Sequence, residues 1–193
     1  MSRSPAIARL KITLAGIRPT VMRRVDVPLR IRLDRLHLVI QAAMGWTNSH
    51  LWAFEAGGAT FGDADADFGE DLPASKATLL DVIEDTGAKT LLYTYDFGDN
   101  WEHRIKIEGL RDPVPGTLYP QLIKATGRCP PEDVGGPPGY AMLLEILADP
   151  DHDEHDEMIE YHGELDDKIE PDIERINAEL DHLAKLWAPK KRR

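Results

Sequence analysis

The sequence predicts an α+β fold. A largely antiparallel sheet of about five strands, in the order β-β-α-β-α-β-β, is covered on one face by helices and followed by C-terminal helices. Three observations predict it. Residues 6–17, AIARLKITLAGI, alternate apolar and polar side chains, the two-residue period of a half-buried strand. Residues 33–46, LDRLHLVIQAAMGW, switch to helical spacing, with Leu33, Leu36, Ile40, Ala43 and Met44 on one stripe. Residues 89–110, KTLLYTYDFGDNWEHRIKIEGL, set two β-rich runs around Asp-Phe-Gly-Asp-Asn, strong turn chemistry. Hairpins and short connections make neighbouring strands antiparallel.

In chain order, Leu10, Ile12 and Leu14 of the first strand point one way and Arg9, Lys11 and Thr13 the other. The turn IRPT leads into a second strand, VMRRVDVP, which Pro28 ends. The first helix carries Asp34 in its opening turn, where the helix dipole favours a carboxylate. Gly45 suits the left-handed position that closes it, with Trp46 packing back on the last turn. HLWAFEA, residues 50–56, reads as a third strand. The acidic segment 62–75 places Asp63, Asp65 and Asp67 like the first three ligands of a calcium loop. It then fails, with Phe68 where glycine is needed and Ala74 where a bidentate glutamate is needed. A solvated surface loop is expected there. TLLDVIED is a short helix that Thr78 can cap. In the second run of the main hairpin, Trp101, His103, Ile105 and Ile107 share one face, and Glu102, Arg104, Lys106 and Glu108 the other.

After Leu110 the texture changes. Residues 111–139 are rich in Pro and Gly and are expected to form a long ordered loop. PPGYAMLLEILADP, DEHDEMIEYHG and PDIERINAELDHLAKLW then read as three helices, the last with Ile173, Ile176, Leu180, Leu183 and Trp187 on one stripe. No repeat and no separating linker is visible. The expectation is one domain over 1–193, with a sheet-forming part at 1–110, the loop at 111–139, helices at 140–187 and a basic tail at 188–193.

Composition limits the function classes. The 193 residues with 42% hydrophobic content suffice for a core, and no apolar run reaches the ~18 residues of a membrane span. The opening lacks a signal-peptide core, and a single cysteine suits a reducing compartment, so a cytoplasmic location without membrane contact is expected. The net charge of −11 argues against nonspecific binding of nucleic acid. It is unevenly spread. Residues 1–36 carry nine Lys/Arg against Asp26 and Asp34, and residues 149–181 carry fifteen Asp/Glu against Lys168 and Arg175. The simpler reading is that the basic strands lie beside the acidic helices and neutralise them; the other is a basic face meeting a polyanion.

Several blocks together resemble a known family. RRVDVP, LHLVIQAAMGW followed by HL, YTYDFGDNWEH, CPPEDVGGPPGY and DPDHDEH stand in the order of the plasmid pRiA4b ORF-3-like family, across residues 7–180. Blocks in fixed order are far more specific than one motif. Arg32 departs from the family, which often has a threonine before the first helix. The resemblance implies a setting on plasmids, transposable elements and bacterial chromosomes. It implies no particular reaction, although some members carry a transposon resolvase label. A serine recombinase needs an activated serine among arginines. The four serines here, Ser2, Ser4, Ser49 and Ser75, lie in the terminus, beside a strand and in the acidic loop, without that arginine setting. The label finds no mechanism in these residues.

One constellation remains. Asp96, Asp99 and His103 from the hairpin, with Cys129, Glu132 and Asp133 from the Pro/Gly segment, form a candidate polar cluster. His103, Cys129, Glu132, Asp133, His152 and His155 are candidate ligands for a divalent metal, because imidazole, thiolate and carboxylate are transition-metal donors. Each has a plain alternative: the aspartates as turn formers, His103 as a core histidine bonded to a carbonyl, Cys129 as a small buried hydrophobe, and Asp149–Asp153 as helix caps. The Asp96–Gly98 tripeptide matches a kinase magnesium motif but has none of its companions. The expected function is a non-enzymatic binding or accessory protein for an unknown protein or nucleic-acid partner. The alternative is a small metal-dependent hydrolase or transferase.

Overall fold

The computed structural model describes residues 6–63, 72–163 and 170–189. Among the described residues, eight strands form one mixed sheet in the order β5-β4-β3-β6-β7-β1-β2-β8. The expected first strand is β1 (Ile7–Leu14), paired antiparallel with β2 (Met22–Pro28). Helix α1 (Leu33–Met44) follows, closed by Gly45 at φ 87°, whose N–H donates to Gln41 O at 2.8 Å. After β3 (Trp52–Ala56) comes α2 (Leu79–Thr86), held by a reciprocal cap in which Thr78 Oγ1 accepts from Asp81 N while Asp81 Oδ2 accepts from Thr78 N. The central hairpin is β6 (Thr90–Tyr95) and β7 (Trp101–Arg111).

Three strands exceed the five expected. β4 (Ala59–Gly62) turns back on β3 through Gly57-Gly58, both at positive φ. β5 (Leu72–Pro73) adds the sheet's parallel pairing. β8 (Gln121–Thr126) lies inside the segment expected to be loop, on the edge beside β2. That segment also ends early, because α3 (Gly136–Ala148) starts ahead of its double proline. Helices α4 (His155–His162) and α5 (Ile173–Trp187) complete the chain. Asp65, Asp67 and Phe68 of the calcium-like spacing lie outside the described residues.

Alternation on the central strands decides the layering. Trp101, His103 and Ile105 of β7 are buried, while Glu102, Arg104 and Lys106 are exposed. One face of the hairpin therefore meets the core, where Leu33, Leu36 and Ile40 of α1 are fully buried. The basic strands find their acids locally. Arg9 pairs across β1–β2 with its register partner Asp26 at 2.7 Å, and Arg24 with Glu108 of β7 at 2.7 Å. Arg32 pairs with Asp34, also at 2.7 Å. None of these three acids belongs to residues 149–181; the pairs are cross-strand or short-range, which needs no docking of distant elements. Among the described residues, no helix is long and apolar enough to cross a membrane.

Candidate functional site

The β6–β7 turn places the first acid. Asp96 sits at φ 57° and Asn100 at φ 55°, left-handed positions that Asn and Asp tolerate. Asp96 Oδ1 accepts from Gly98 N at 2.9 Å and Asp99 N at 3.3 Å, which fixes the turn. Asp96 N donates to Leu51 O at 2.8 Å and so ties the turn to the α1–β3 loop.

The turn also packs on the Cys129–Gly136 segment. Asp99 Oδ2 accepts from Gly135 N at 3.1 Å. A Cβ on Gly136, at φ 67°, would stand 2.1 Å from Asp99 O, so this approach requires glycine. Trp46 Nε1 donates to Pro130 O at 2.9 Å. Glu132 is saturated: it accepts from Thr47 N at 2.9 Å, from Thr47 Oγ1 at 2.7 Å and from Tyr95 OH at 2.5 Å. With the Thr47 proton committed to Glu132, Ser49 Oγ donates to Thr47 Oγ1 at 2.6 Å.

Three groups converge at the rim of this assembly. His50 Nδ1 lies 3.7 Å from Asp96 Oδ2, and His50 Nε2 lies 3.1 Å from Asp133 Oδ1. One ligand-type atom from each of His50, Asp96 and Asp133 can be chosen so that all lie within 4.8 Å of one another. A cleft of about 610 Å³ opens beside them, lined by Asn48, Ser49, His50, Asp63, Asp96 and Phe97 among others.

The core under the cleft is aromatic, and its polar atoms are bonded except Trp101 Nε1 and His103 Nε2. His37 stacks on Trp52 at 4.1 Å. Its Nε2 donates to Asn48 Oδ1, which can only accept, so its Nδ1 accepts from Tyr93 OH at 2.7 Å. His103 Nδ1 donates to the carbonyls of Tyr93 at 3.2 Å and Trp101 at 3.0 Å, and Trp46 meets the ring edge-on at 5.3 Å. Burial lowers both imidazoles to about 4, so both are neutral at neutral pH. Burial, and then the bond to Glu132, push the Tyr95 phenol up.

The structure thus gathers Asp96 and Asp133 of the expected residues, and adds His50, which the sequence reading passed over. Asp99 and Glu132 lie in the same assembly but are committed to loop bonds. His103 lies in the core beneath it. Cys129 lines a second cleft of about 510 Å³ with Arg23 and Trp46, and burial pushes its thiol up to about 12. His152 lies in the turn before α4, where its Nδ1 accepts from Glu154 N at 3.1 Å, His155 is the first residue of α4, and neither lines either cleft. The six residues expected to share a metal are therefore not brought together. The sequence puts His50 at the head of the third strand, but the strand begins at Trp52 and leaves His50 in the loop behind two small polar residues.

Fold and cleft together define an α+β protein with an acid-and-imidazole recess at the turn end of its central hairpin. The chain belongs to the plasmid pRiA4b ORF-3-like protein family, which it matches over residues 6–179. It is 51% identical over 190 residues to the uncharacterized protein y4hQ of Sinorhizobium fredii (strain NBRC 101917 / NGR234), covering 97% of each chain. It is also similar to the crystal structure of MM3350, a protein of unknown function from Methanosarcina mazei Go1. That likeness has a TM-score of 0.77 at 33% identity, over 86% of this chain and 96% of the other.

Proposed function

We propose that the protein is a non-enzymatic accessory protein of plasmids and related elements, and that its cleft takes a cationic group of a protein partner. One observation carries the reading. The cleft of about 610 Å³ is lined by Asp63 and Asp96, with Asp34 already paired to Arg32 at its edge, and by no Lys or Arg among the described residues. Such a recess attracts a cation and repels a phosphate backbone. The thiol in the second cleft adds no covalent chemistry: Cys129, pushed up to about 12, stays protonated at neutral pH and is a poor nucleophile.

The test is fluorescence anisotropy with a labelled tetralysine peptide, because a chain of net charge −11 will attract any polycation weakly. Neutralising the recess with Asp63→Asn and Asp96→Asn should weaken binding about tenfold or more, the size of one lost close charge pair. Neutralising Glu174 and Glu179 on exposed α5 positions should change it less than about twofold. Equal losses from both pairs would leave only diffuse attraction and end this reading. A mobility shift of duplex DNA at low salt would redirect it to nucleic acid.

A second reading, a small metal-dependent hydrolase or transferase, is favoured by the convergence of His50, Asp96 and Asp133, the first two of which line the same cleft. An ion there would activate water. Metal-dependent turnover of a chromogenic phosphate or acyl ester, lost in His50→Gln, is its measurement.

A further inference from the structure

We infer that His50, Asp96 and Asp133 form a binding site for one divalent transition-metal ion, of the zinc or manganese class, with open coordination positions facing the cleft. The inference rests on the reading of this recess as a cation site and names the cation.

Geometry comes first. The three side chains arrive from separate stretches: the α1–β3 loop, the β6–β7 turn and the loop before α3. One ligand atom from each lies within 4.8 Å of the others. Donors around a tetrahedral ion, each at ~2.0–2.2 Å from it, stand roughly 3.3–3.6 Å apart. His50 Nε2 and Asp133 Oδ1 are 3.1 Å apart, so that edge is already closed. Asp96 must close the remainder.

The second observation is independent of the acids. His50 Nε2 is buried and makes no hydrogen bond, although Asp133 Oδ1 is only 3.1 Å away. The contact has the separation of a hydrogen bond without its direction. Two donors on adjacent corners of one ion have that relation. An orphaned imidazole nitrogen otherwise costs about 1–3 kcal/mol. Asp96 is 9% exposed, its Oδ1 is spent on two turn amides, and its Oδ2 lies 3.7 Å from Nδ1 of the same ring, so it must swing toward Nε2 to join the ion.

Donor chemistry selects the ion. One imidazole and two carboxylates suit a borderline cation, since imidazole favours zinc or iron and carboxylate favours manganese or magnesium. The neutral imidazole and two carboxylates carry −2, which a divalent ion cancels. Three protein ligands leave at least one position for water or a ligand group. Asp133, with 68% of its side chain exposed, is the ligand on the solvent side.

The test uses the full chain stripped with a chelator, titrated calorimetrically with zinc and with manganese. One equivalent is expected to bind. Asp133→Asn, at an exposed position of φ 60° where Asn fits, and His50→Gln should each weaken it tenfold or more, with Glu157→Gln on α4 unchanged. Circular dichroism and urea midpoints matching the parent would show that the variants fold. X-ray absorption of the zinc form should show an oxygen and nitrogen shell with one imidazole and no sulfur. Sulfur scattering would place the ion on Cys129 and overturn the assignment. So would zinc and manganese both failing to bind, or binding indifferent to both variants. The tetralysine experiment separates the two ideas. Peptide bound at the recess without metal binding removes this inference and leaves the protein-partner reading. Metal bound through the three residues without peptide binding does the reverse.

Discussion

Two parts of this molecule combine acids with imidazoles, and they are built in opposite ways. At the start of α4, Asp149, Asp151, Asp153, Glu154 and Asp156 crowd around His152 and His155 within a few residues. Their bonds are local: Asp151 N donates to Asp149 Oδ1 at 3.1 Å, Glu154 N to His152 Nδ1 at 3.1 Å, and His155 N to His152 O at 3.0 Å. Those bonds satisfy the backbone of a tight entry into a helix and leave His152 and the acids in water, with His155 half-buried. At the cleft, His50, Asp96 and Asp133 are distant in sequence and meet over a buried aromatic floor. Density of ligand-type residues along a chain solves local capping. Convergence over a desolvated floor makes a site, because charges there are less screened.

The largest effect should come from protonating that floor. His37 and His103 are lowered by burial to about 4 in the folded chain, against 6.5 for the free side chain. Between these values the unfolded chain binds protons that the folded chain excludes. Stability is therefore full above about pH 6.5 and falls as pH drops toward 4, by about 2–3 kcal/mol for each histidine. Urea midpoints at pH 7.5, 6 and 4.5 check this. A midpoint unchanged down to pH 4.5 would erase the contrast between a desolvated floor and a solvated surface.

Trp46 joins the floor to the site loop. It stacks with Tyr95 at 5.1 Å, tilts on Trp101 at 5.8 Å and donates to Pro130 O at 2.9 Å. Trp46→Ala should destabilise the fold by about 3–5 kcal/mol, as for other large buried aromatics. It should also weaken zinc binding, because the loop that carries Asp133 loses its anchor. A stable variant with parental zinc affinity would separate floor from site.

Gly136→Ala strikes the seam and leaves the floor intact. Its Cβ would overlap Asp99 O at 2.1 Å, and its φ of 67° is strained for alanine, so turn and loop must part. A loss of about 1–3 kcal/mol is expected. Calorimetry should show a larger proportional loss in zinc affinity, since Asp133 moves away from His50 and Asp96.

How much of this was legible follows from the same contrast. β1, β2, α1, the β6–β7 hairpin and α5 were readable because each carries its period within one stretch, and Gly45 and Thr78 announced their caps. β4 was hidden by its four-residue length, although Gly57-Gly58 is a hairpin signal. β8 was hidden because a half-exposed edge strand between Pro120 and Gly127 shows little alternation. At the site, Asp96 and Asp133 were readable as carboxylates beside turn-forming glycines. His50 was not, because nothing local distinguishes a ligand histidine from any loop histidine. Only the register of β3 against β6, pairing Trp52 with Tyr95, carries it to the turn.

The smallest effect belongs to the other member of the comparison. His152 is exposed, and the bond its ring accepts from Glu154 N is replaceable by water. His152→Ala should change stability by less than about 0.5 kcal/mol, as do most surface substitutions, and should leave zinc affinity at its parental value. The same calorimetric titration used for Asp133→Asn checks both statements in one preparation. If His152→Ala lowered zinc affinity as much as Asp133→Asn, the ion would reside on the acidic entry to α4. Sequence-local density would then have outweighed convergence over a desolvated floor.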